Sequence, residues 1–251
     1  MLRKILTGLM LVGLAIGVVS CAKKAPTKLT IATDSTFPPM EMVDTNKNIV
    51  GLDVDLMNAA AKAGGFTVEF KSTAWDGIFA GLDNGKYDAV MSSVTITDER
   101  KKTIDFSVPY FNAGQILVVK TEANGVTTLD DLKGKTVGAQ IGTTGAFEID
   151  KVKVADKITE KTYDEIGLAV ADLVNGRIDG VVVDTPTAAN YVLQSDTYKG
   201  KLKIVGKPFT EEYYGVAVKK GNTKVLDIIN AGLKKVLDAG DNKAIEDKWL
   251  K

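Results

Sequence analysis

Arg100 closes the run Thr95-Ile96-Thr97-Asp98-Glu99-Arg100 and is the only arginine between Arg3 and Arg177. A guanidinium offers a planar fork that meets a carboxylate in two parallel hydrogen bonds, whereas a lysine is a point charge. Two readings follow: a clamp for a carboxylate, or a surface helix arginine paired with Asp98 or Glu99. Asp184 poses the complementary question. It ends the apolar run Val181-Val182-Val183, and a carboxylate at the end of a buried strand needs a partner. That partner is either the start of a helix at Pro186 or a cationic group brought from outside. Ile141-Gly142-Thr143-Thr144-Gly145 is a second candidate for holding an anion, because a Gly/Thr loop that opens a helix turns backbone N–H groups outward. It lacks the lysine of a Walker loop, which argues against nucleotide phosphate. Asp34 and Phe37 follow an early apolar run, Trp75 precedes a helical stretch, and Ser92-Ser93 ends another apolar run. Aromatics in such loops either fill the core or flank a cleft, where they sandwich a side chain and attract a cation.

Composition removes other chemistries. The chain of 251 residues has no histidine and one cysteine, so it has no imidazole base, no histidine-ligated metal and no intramolecular disulfide. No catalytic residue, metal site or cofactor is expected. Basic and acidic residues balance at 32 each, which argues against a nucleic-acid partner.

The elements that must position these groups alternate between apolar runs and helical patterns from Leu29 onward, the signature of an α/β fold with largely parallel sheet. Strands are expected at 29–33, 66–70, 87–92 and 136–139. Helices are expected at 53–63, 76–83, 145–152, 164–174, 224–239 and 241–248. Thr128-Leu129-Asp130-Asp131 resembles a capping box opening another helix, and Thr185-Pro186 places an N-cap and a first-turn proline before a helix to about 194. One internal echo stands out. Leu82-Asp83-Asn84-Gly85-Lys86-Tyr87-Asp88-Ala89-Val90 matches Leu173-Val174-Asn175-Gly176-Arg177-Ile178-Asp179-Gly180-Val181, and 84 and 175 differ by 91. Either Asn-Gly is simply a favoured helix-to-strand turn, or the chain contains two similar lobes. Carboxyl ends of strands are where open α/β sheets bind ligands, so two facing lobes would bring Ser92, Ser93 and Asp184 into one cleft.

The first twenty residues form an address. Arg3 and Lys4 precede an apolar stretch at 5–19, too short for a comfortable membrane span and suited to a signal-peptide core. Val18-Val19-Ser20-Cys21 resembles a lipobox, which makes Cys21 the expected lipidation site. Residues 1–20 are then a lipoprotein signal peptide and 21–27 a tether, and the protein is exported, periplasmic or at the cell surface, held to the membrane only by its lipid.

Residues 34–41, Gly51-Leu52-Asp53-Val54-Asp55-Leu56, 92–100, Ile104-Asp105-Phe106-Ser107, Pro109-Tyr110 and Asp184-Thr185-Pro186 occur in the order seen in the amino-acid-binding proteins of bacterial ABC importers. The chain resembles this group, the bacterial extracellular solute-binding protein family 3, over residues 28–251. The resemblance implies an α/β, two-lobed periplasmic-binding-protein-like fold of type II, with two α/β lobes joined by a two-strand hinge. Residues 28–109 and 215–251 would form lobe 1, residues 115–209 lobe 2, and residues 110–114 and 210–214 the hinge that closes them. It further implies that Arg100 holds a ligand α-carboxylate with the backbone N–H groups of Thr95 and Thr144. Asp184, the Ser93 carbonyl and the Thr95 hydroxyl would take the α-ammonium. Phe37 and Trp75 would bracket the side chain, with Asp34, Ser92 and Gln140 at its far end. An ionised Asp34 only accepts hydrogen bonds, which favours arginine, lysine or histidine. Glutamine comes next, because glutamine-binding relatives place a lysine where this chain has Gln140. The implied partners are a small L-amino acid and ABC permease subunits, with the protein itself a monomer. The alternative on the same scaffold is an enzyme resembling cyclohexadienyl dehydratase.

Overall fold

The computed structural model describes residues 25–251; the expected signal peptide and Cys21 lie outside the described residues. The chain opens with strand β1 (Lys28–Thr33) and a small ribbon of β2 (Thr36–Phe37), β3 (Glu41–Val43) and β4 (Ile49–Val50). Helix α1 (Leu52–Gly64), β5 (Thr67–Ser72), α2 (Ile78–Asp83), β6 (Ala89–Val90), α3 (Asp98–Lys101) and β7 (Ile104–Phe106) follow. A short crossing strand, β8 (Phe111–Ala113), leads into β9 (Gln115–Lys120), β10 (Thr136–Gln140), α4 (Thr144–Asp156), β11 (Thr159–Tyr163), α5 (Ile166–Val174) and β12 (Gly180–Asp184). Then come α6 (Thr185–Ala189), β13 (Leu202–Val205), the return strand β14 (Glu212–Tyr214), β15 (Ala217–Lys219), α7 (Thr223–Ala239) and α8 (Asn242–Trp249).

These elements form two five-stranded sheets of one design, with orders β5-β1-β6-β15-β7 and β11-β10-β12-β9-β13. In each, the first three strands are parallel and a strand from beside a crossing is inserted antiparallel. The sheets are therefore mixed rather than largely parallel, because β9 and β15 enter their lobes directly from the crossings. The crossings themselves, β8 and β14, pair antiparallel with each other. Burial follows the order: the inner strand β12 is buried throughout, whereas the outermost strands β5 and β11 are mostly exposed.

The sequence echo reappears as geometry. Asn84 and Asn175 cap α2 and α5, and Gly85 and Gly176 both adopt φ of 69°. The same bonds close both turns, Gly85 N–H to Leu82 C=O and Gly176 N–H to Leu173 C=O, each 3.0 Å. The next acid clasps a neighbouring strand in both copies: Asp88 accepts from Thr30 N–H (2.7 Å) and Asp179 from Thr136 N–H (2.9 Å). The register agrees, with Ile31 beside Ala89 and Val137 beside Gly180. The chain thus contains two similar lobes.

Several elements differ from their expected bounds for local reasons. The strand expected at 87–92 shrinks to Ala89–Val90, because the chain turns through Ser93 at φ of 49°. The helix expected at 76–83 starts at Ile78, since Gly77 takes a left-handed conformation. That expected at 164–174 starts at Ile166, since Glu165 stays extended. The capping box at Thr128 forms, yet it opens only one 3-10 turn, Leu129–Leu132, before Gly134 reverses the chain at φ of 72°. Asp184 rather than Thr185 occupies the N-cap of α6, which passes into a π turn at Asn190–Gln194.

Around α1 the packing is dense. Its buried face carries Leu52, Leu56, Met57, Ala60 and Ala61 in one core with Val225, Ile229, Leu233 and Val236 of α7. Gly232 permits the approach, as a Cβ there would lie 2.3 Å from the Ala60 carbonyl oxygen. Among the described residues, no helix is long and apolar enough to cross a membrane.

Replacing Gly85 or Gly176 by alanine adds a Cβ that meets nothing closer than the 3.4 Å Lys120 Nζ beside Gly176. The cost is therefore that of a left-handed backbone, about 1–2 kcal/mol for each variant. Urea denaturation should show similar losses for the two, and near-additive losses in the double variant.

Candidate functional site

The carboxyl ends of four parallel strands converge between the lobes: Asp34 follows β1, Ser92 and Ser93 follow β6, Gln140 ends β10 and Asp184 ends β12. With Phe37, Trp75, Thr95, Arg100 and Thr144 they line one cavity, together with Glu41 and Thr143, around about 310 Å³ of empty space. That volume is at the small end for a ligand pocket, about 300–1,000 Å³. All ten residues singled out in the sequence therefore lie in one cleft.

Arg100 does not pair with Asp98 or Glu99, which instead bind Lys101 and Lys102. Thr97 caps α3 by accepting from Arg100 N–H at 3.1 Å, and the guanidinium turns inward. It donates to the Thr95 carbonyl (2.9 Å) and, across the cleft, to that of Gly142 (3.2 Å). Its Cζ lies 5.4 Å from the ring centroids of both Trp75 and Phe79, which meet edge to face. Trp75 is thus a support for the cation as well as a wall of the cleft. Burial lowers the Arg100 pKa to about 10, opposed by the charges of Asp184 and Glu212, so it is a cation throughout the physiological range.

Asp184 does not act as the side-chain cap that one of its two readings expected. It occupies an N-cap position without a side-chain cap bond, and it accepts a 2.7 Å hydrogen bond from the Tyr214 hydroxyl. Burial, then the negative charge of Glu212, pushes its pKa up to about 6, against the bond from Tyr214. Asp34 faces Gln140 across the cleft and accepts from its Nε2 at 2.8 Å, with a second bond from the Thr36 hydroxyl at 2.7 Å. Burial raises the pKa of Asp34 and these donors restrain the rise. Gln140 Nε2 also donates to the Asp164 carbonyl (2.9 Å), which fixes its amide.

Beneath the two serines lies a pair of fully buried acids that sequence reasoning left without a role, Glu41 on β3 and Asp53 on α1. Ser92 donates to Glu41 at 3.0 Å and accepts from Asp34 N–H at 2.9 Å. Ser93 N–H donates to Asp53 at 2.8 Å, which holds this residue in its left-handed conformation, and the Tyr110 hydroxyl donates to the same oxygen at 2.7 Å. Burial, then the charge of Asp53, raises the Glu41 pKa well above the ordinary range; burial brings that of Asp53 to about 6. Asp53 Oδ1 is buried without a hydrogen-bond partner, and the neighbouring Glu41 carboxyl is biased towards its protonated form. The available sequence signal was an acid at position 53 inside the apolar stripe of α1. Glu212 was also missed: it lies within the span expected as hinge, and its carboxylate accepts from both Thr95 and Thr144.

A two-lobed α/β body with a polar cleft between strand ends defines a binding protein that takes one small molecule between its halves. Residues 29–251 match the family model of bacterial extracellular solute-binding proteins, family 3, and the chain belongs to that family. It is 41% identical over 221 residues to the "Probable histidine-binding protein" of Neisseria gonorrhoeae, covering 88% of this chain and 82% of that one. It is 34% identical to the L-cystine-binding protein TcyJ of Escherichia coli (strain K12), covering 88% and 82%. A solved structure of an ancestral arginine-binding protein bound to arginine superposes with a TM-score of 0.85 at 42% identity, covering 91% of this chain and all of that one.

The Glu41–Asp53 pair has a consequence for stability. Because both folded-state pKa values are raised, the folded protein holds these protons longer than the unfolded chain. The stabilisation contributed by this pair is therefore fully present below the ordinary carboxylate range, near pH 4, and is lost as pH rises through about 6 and above. Glu41→Gln imitates the protonated acid, so melting temperatures from pH 4 to 8 should fall less steeply for the variant. Equal slopes would contradict the proton kept on Glu41.

Proposed function

We propose that this protein is the extracytoplasmic receptor of an ABC-type amino-acid importer and that it captures a basic L-amino acid, with arginine, lysine or histidine ahead of glutamine. The observation that carries this reading is the charge content of the cleft. Among the described residues Arg100 is its one cation, and it stands among the carboxyl groups of Asp34, Asp184 and Glu212, an excess of acid. A zwitterion with an uncharged side chain leaves that excess as it is, whereas a third, positive charge at Asp34 reduces it. Arg100 takes the α-carboxylate, helped by the backbone N–H groups of Thr95 and of Thr144, which opens α4. Asp184, the Ser93 carbonyl and the Thr95 hydroxyl take the α-ammonium. Phe37 and Trp75 bracket the side chain, and Asp34, Ser92 and Gln140 meet its end. The paired strands β8 and β14 serve as the hinge, within residues 110–114 and 210–214, between lobe 1 (28–109 and 215–251) and lobe 2 (115–209). The closed form is what a permease would recognise. Cys21, as a lipidated mature N-terminus, would tether this monomer to the membrane.

We read the site as a binder rather than a dehydratase. Asp34 is bonded to Gln140 and Thr36, Asp184 to Tyr214, and Glu41 to Ser92 and Asp53, so each cleft acid is already engaged in holding the site.

Calorimetry with a panel of L-amino acids should show micromolar or tighter binding of at least one basic member, no binding of glutamate, and no aromatic product from added prephenate. Absence of binding by every amino acid would end the reading. Arg100→Ala should weaken all cognate ligands by about 2–5 kcal/mol, the cost of removing one partner of a buried charge pair. Normal binding by that variant would remove the clamp. Asp34→Asn should instead change the order of preference, with glutamine gaining about tenfold or more on arginine; an unchanged order would place the side-chain contact elsewhere.

A further inference from the structure

We propose that Glu212 is a positioning residue for capture: its carboxylate gathers a hydroxyl from each lobe and turns the lone pairs of Thr95 towards the ligand ammonium. The inference rests on the capture reading given above. Glu212 comes from β14, one of the two strands that cross between the lobes, and it is 7% exposed. One of its oxygens, Oε2, accepts from Thr95 Oγ1 of the first lobe at 2.7 Å and from Thr144 Oγ1 of the second at 2.8 Å. The other, Oε1, accepts from Thr210 Oγ1 at 2.8 Å, and that hydroxyl in turn accepts from Gln115 N–H at 2.7 Å. The carboxylate is thereby held at both ends.

A threonine hydroxyl has one proton and two lone pairs. With both protons committed to Glu212, Thr95 and Thr144 can only accept from whatever enters the cleft. Thr144 already accepts from Gln115 Nε2 at 3.0 Å, which leaves Thr95 as the freer acceptor. The wall formed by Thr95 and Asp184 consequently favours a donor such as an ammonium and disfavours a carboxylate, which gives the site its polarity. Glu212 also acts through charge. The titratable groups facing Asp184 are Glu212 and Tyr214 on β14, with Arg100 on the opposite lobe; Glu212 opposes ionisation of Asp184 and favours the cation at Arg100. One carboxylate thus couples both poles of the site to the closed arrangement of the lobes.

The test is Glu212→Gln, which keeps the shape and removes the charge, with Thr95→Val as a second variant that removes only the hydroxyl. Titration with L-arginine at neutral pH should show affinity reduced about 10- to 100-fold in each. The double variant should lose little more than either single one, because both remove the same interaction. In wild type, affinity should fall as pH drops through about 6 and Asp184 becomes protonated; in Glu212→Gln this loss should move to lower pH. Wild-type affinity with an unmoved acid limb in Glu212→Gln, or full additivity with Thr95→Val, would overturn the proposal. Carbon-13 titration of the Asp184 carboxyl without added ligand separates the two readings. Should wild type bind no amino acid, the capture reading fails, while a lowered Asp184 midpoint in Glu212→Gln supports the role of Glu212 and an unchanged one overturns it.

Discussion

Placing one guanidinium and five carboxyl groups around a single buried cleft is unfavourable unless each is met by a partner, since an unpaired buried charge costs several kcal/mol. Much of the architecture follows from that constraint. Arg100 rests on two carbonyls and two aromatic faces, Asp184 on Tyr214, Asp34 on Gln140 and Thr36, Glu212 on three threonines, and Asp53 on Tyr110, the Ser93 amide and Glu41. These partners come from both lobes and from residues on or beside the crossing strands. The polar cleft therefore depends on the lobes being correctly folded and on their meeting.

The two-lobed plan was legible in the sequence because it rests on local signals repeated at a fixed spacing. Asn-Gly marks the same helix-to-strand turn twice, and the following aspartate performs the same clasp twice. Strands with strong apolar character, β1 and β12, and helices with a clean stripe, α1 and α7, were also readable. Except for β9, whose buried run Ile116-Leu117-Val118-Val119 was not assigned a strand, the elements that were not readable lack such a pattern. Outer strand β11 is the polar run Thr159-Glu160-Lys161-Thr162-Tyr163, which has no buried face to create a pattern. Strands β8 and β14 are three residues each and owe their conformation to pairing with one another across about 100 residues of chain. Mixed rather than parallel pairing has the same origin, for a strand's direction is set by where the chain re-enters the sheet.

At the site, residue chemistry alone found the groups but not always their partners. For Arg100 it left a clamp and a helix ion pair open, and the indole of Trp75 with the ring of Phe79 removes the ion pair by holding the guanidinium inward. For Asp184 it weighed a helix cap against a foreign cation; the cap bond is not made, and a tyrosine 30 residues away donates to the carboxylate instead. Glu212 bonds threonines 117 and 68 residues distant. A role defined by such separations leaves no mark on the local sequence, except where an acid interrupts an apolar face, as Asp53 does on α1.

The repeat also explains how the cleft comes to be asymmetric. Thr30 and Thr136 occupy equivalent places in the two sheets and are 106 residues apart, as are Asp34 and Gln140. Ser93 and Asp184 likewise keep the spacing of 91 that relates Asn84 to Asn175. Each lobe thus carries one acid and one neutral residue at these two strand ends, in crossed order: acid then serine in the first lobe, glutamine then acid in the second. Were the two equivalent positions identical, closing the lobes would press Asp34 against a second carboxylate about 3 Å away, and one of the two would have to take up a proton. With glutamine opposite, the same approach forms a 2.8 Å hydrogen bond. Departure from internal symmetry at these positions lets the two halves come together and leaves Asp34 and Asp184 at separate points of the cleft, the arrangement that a molecule with two separated positive groups requires.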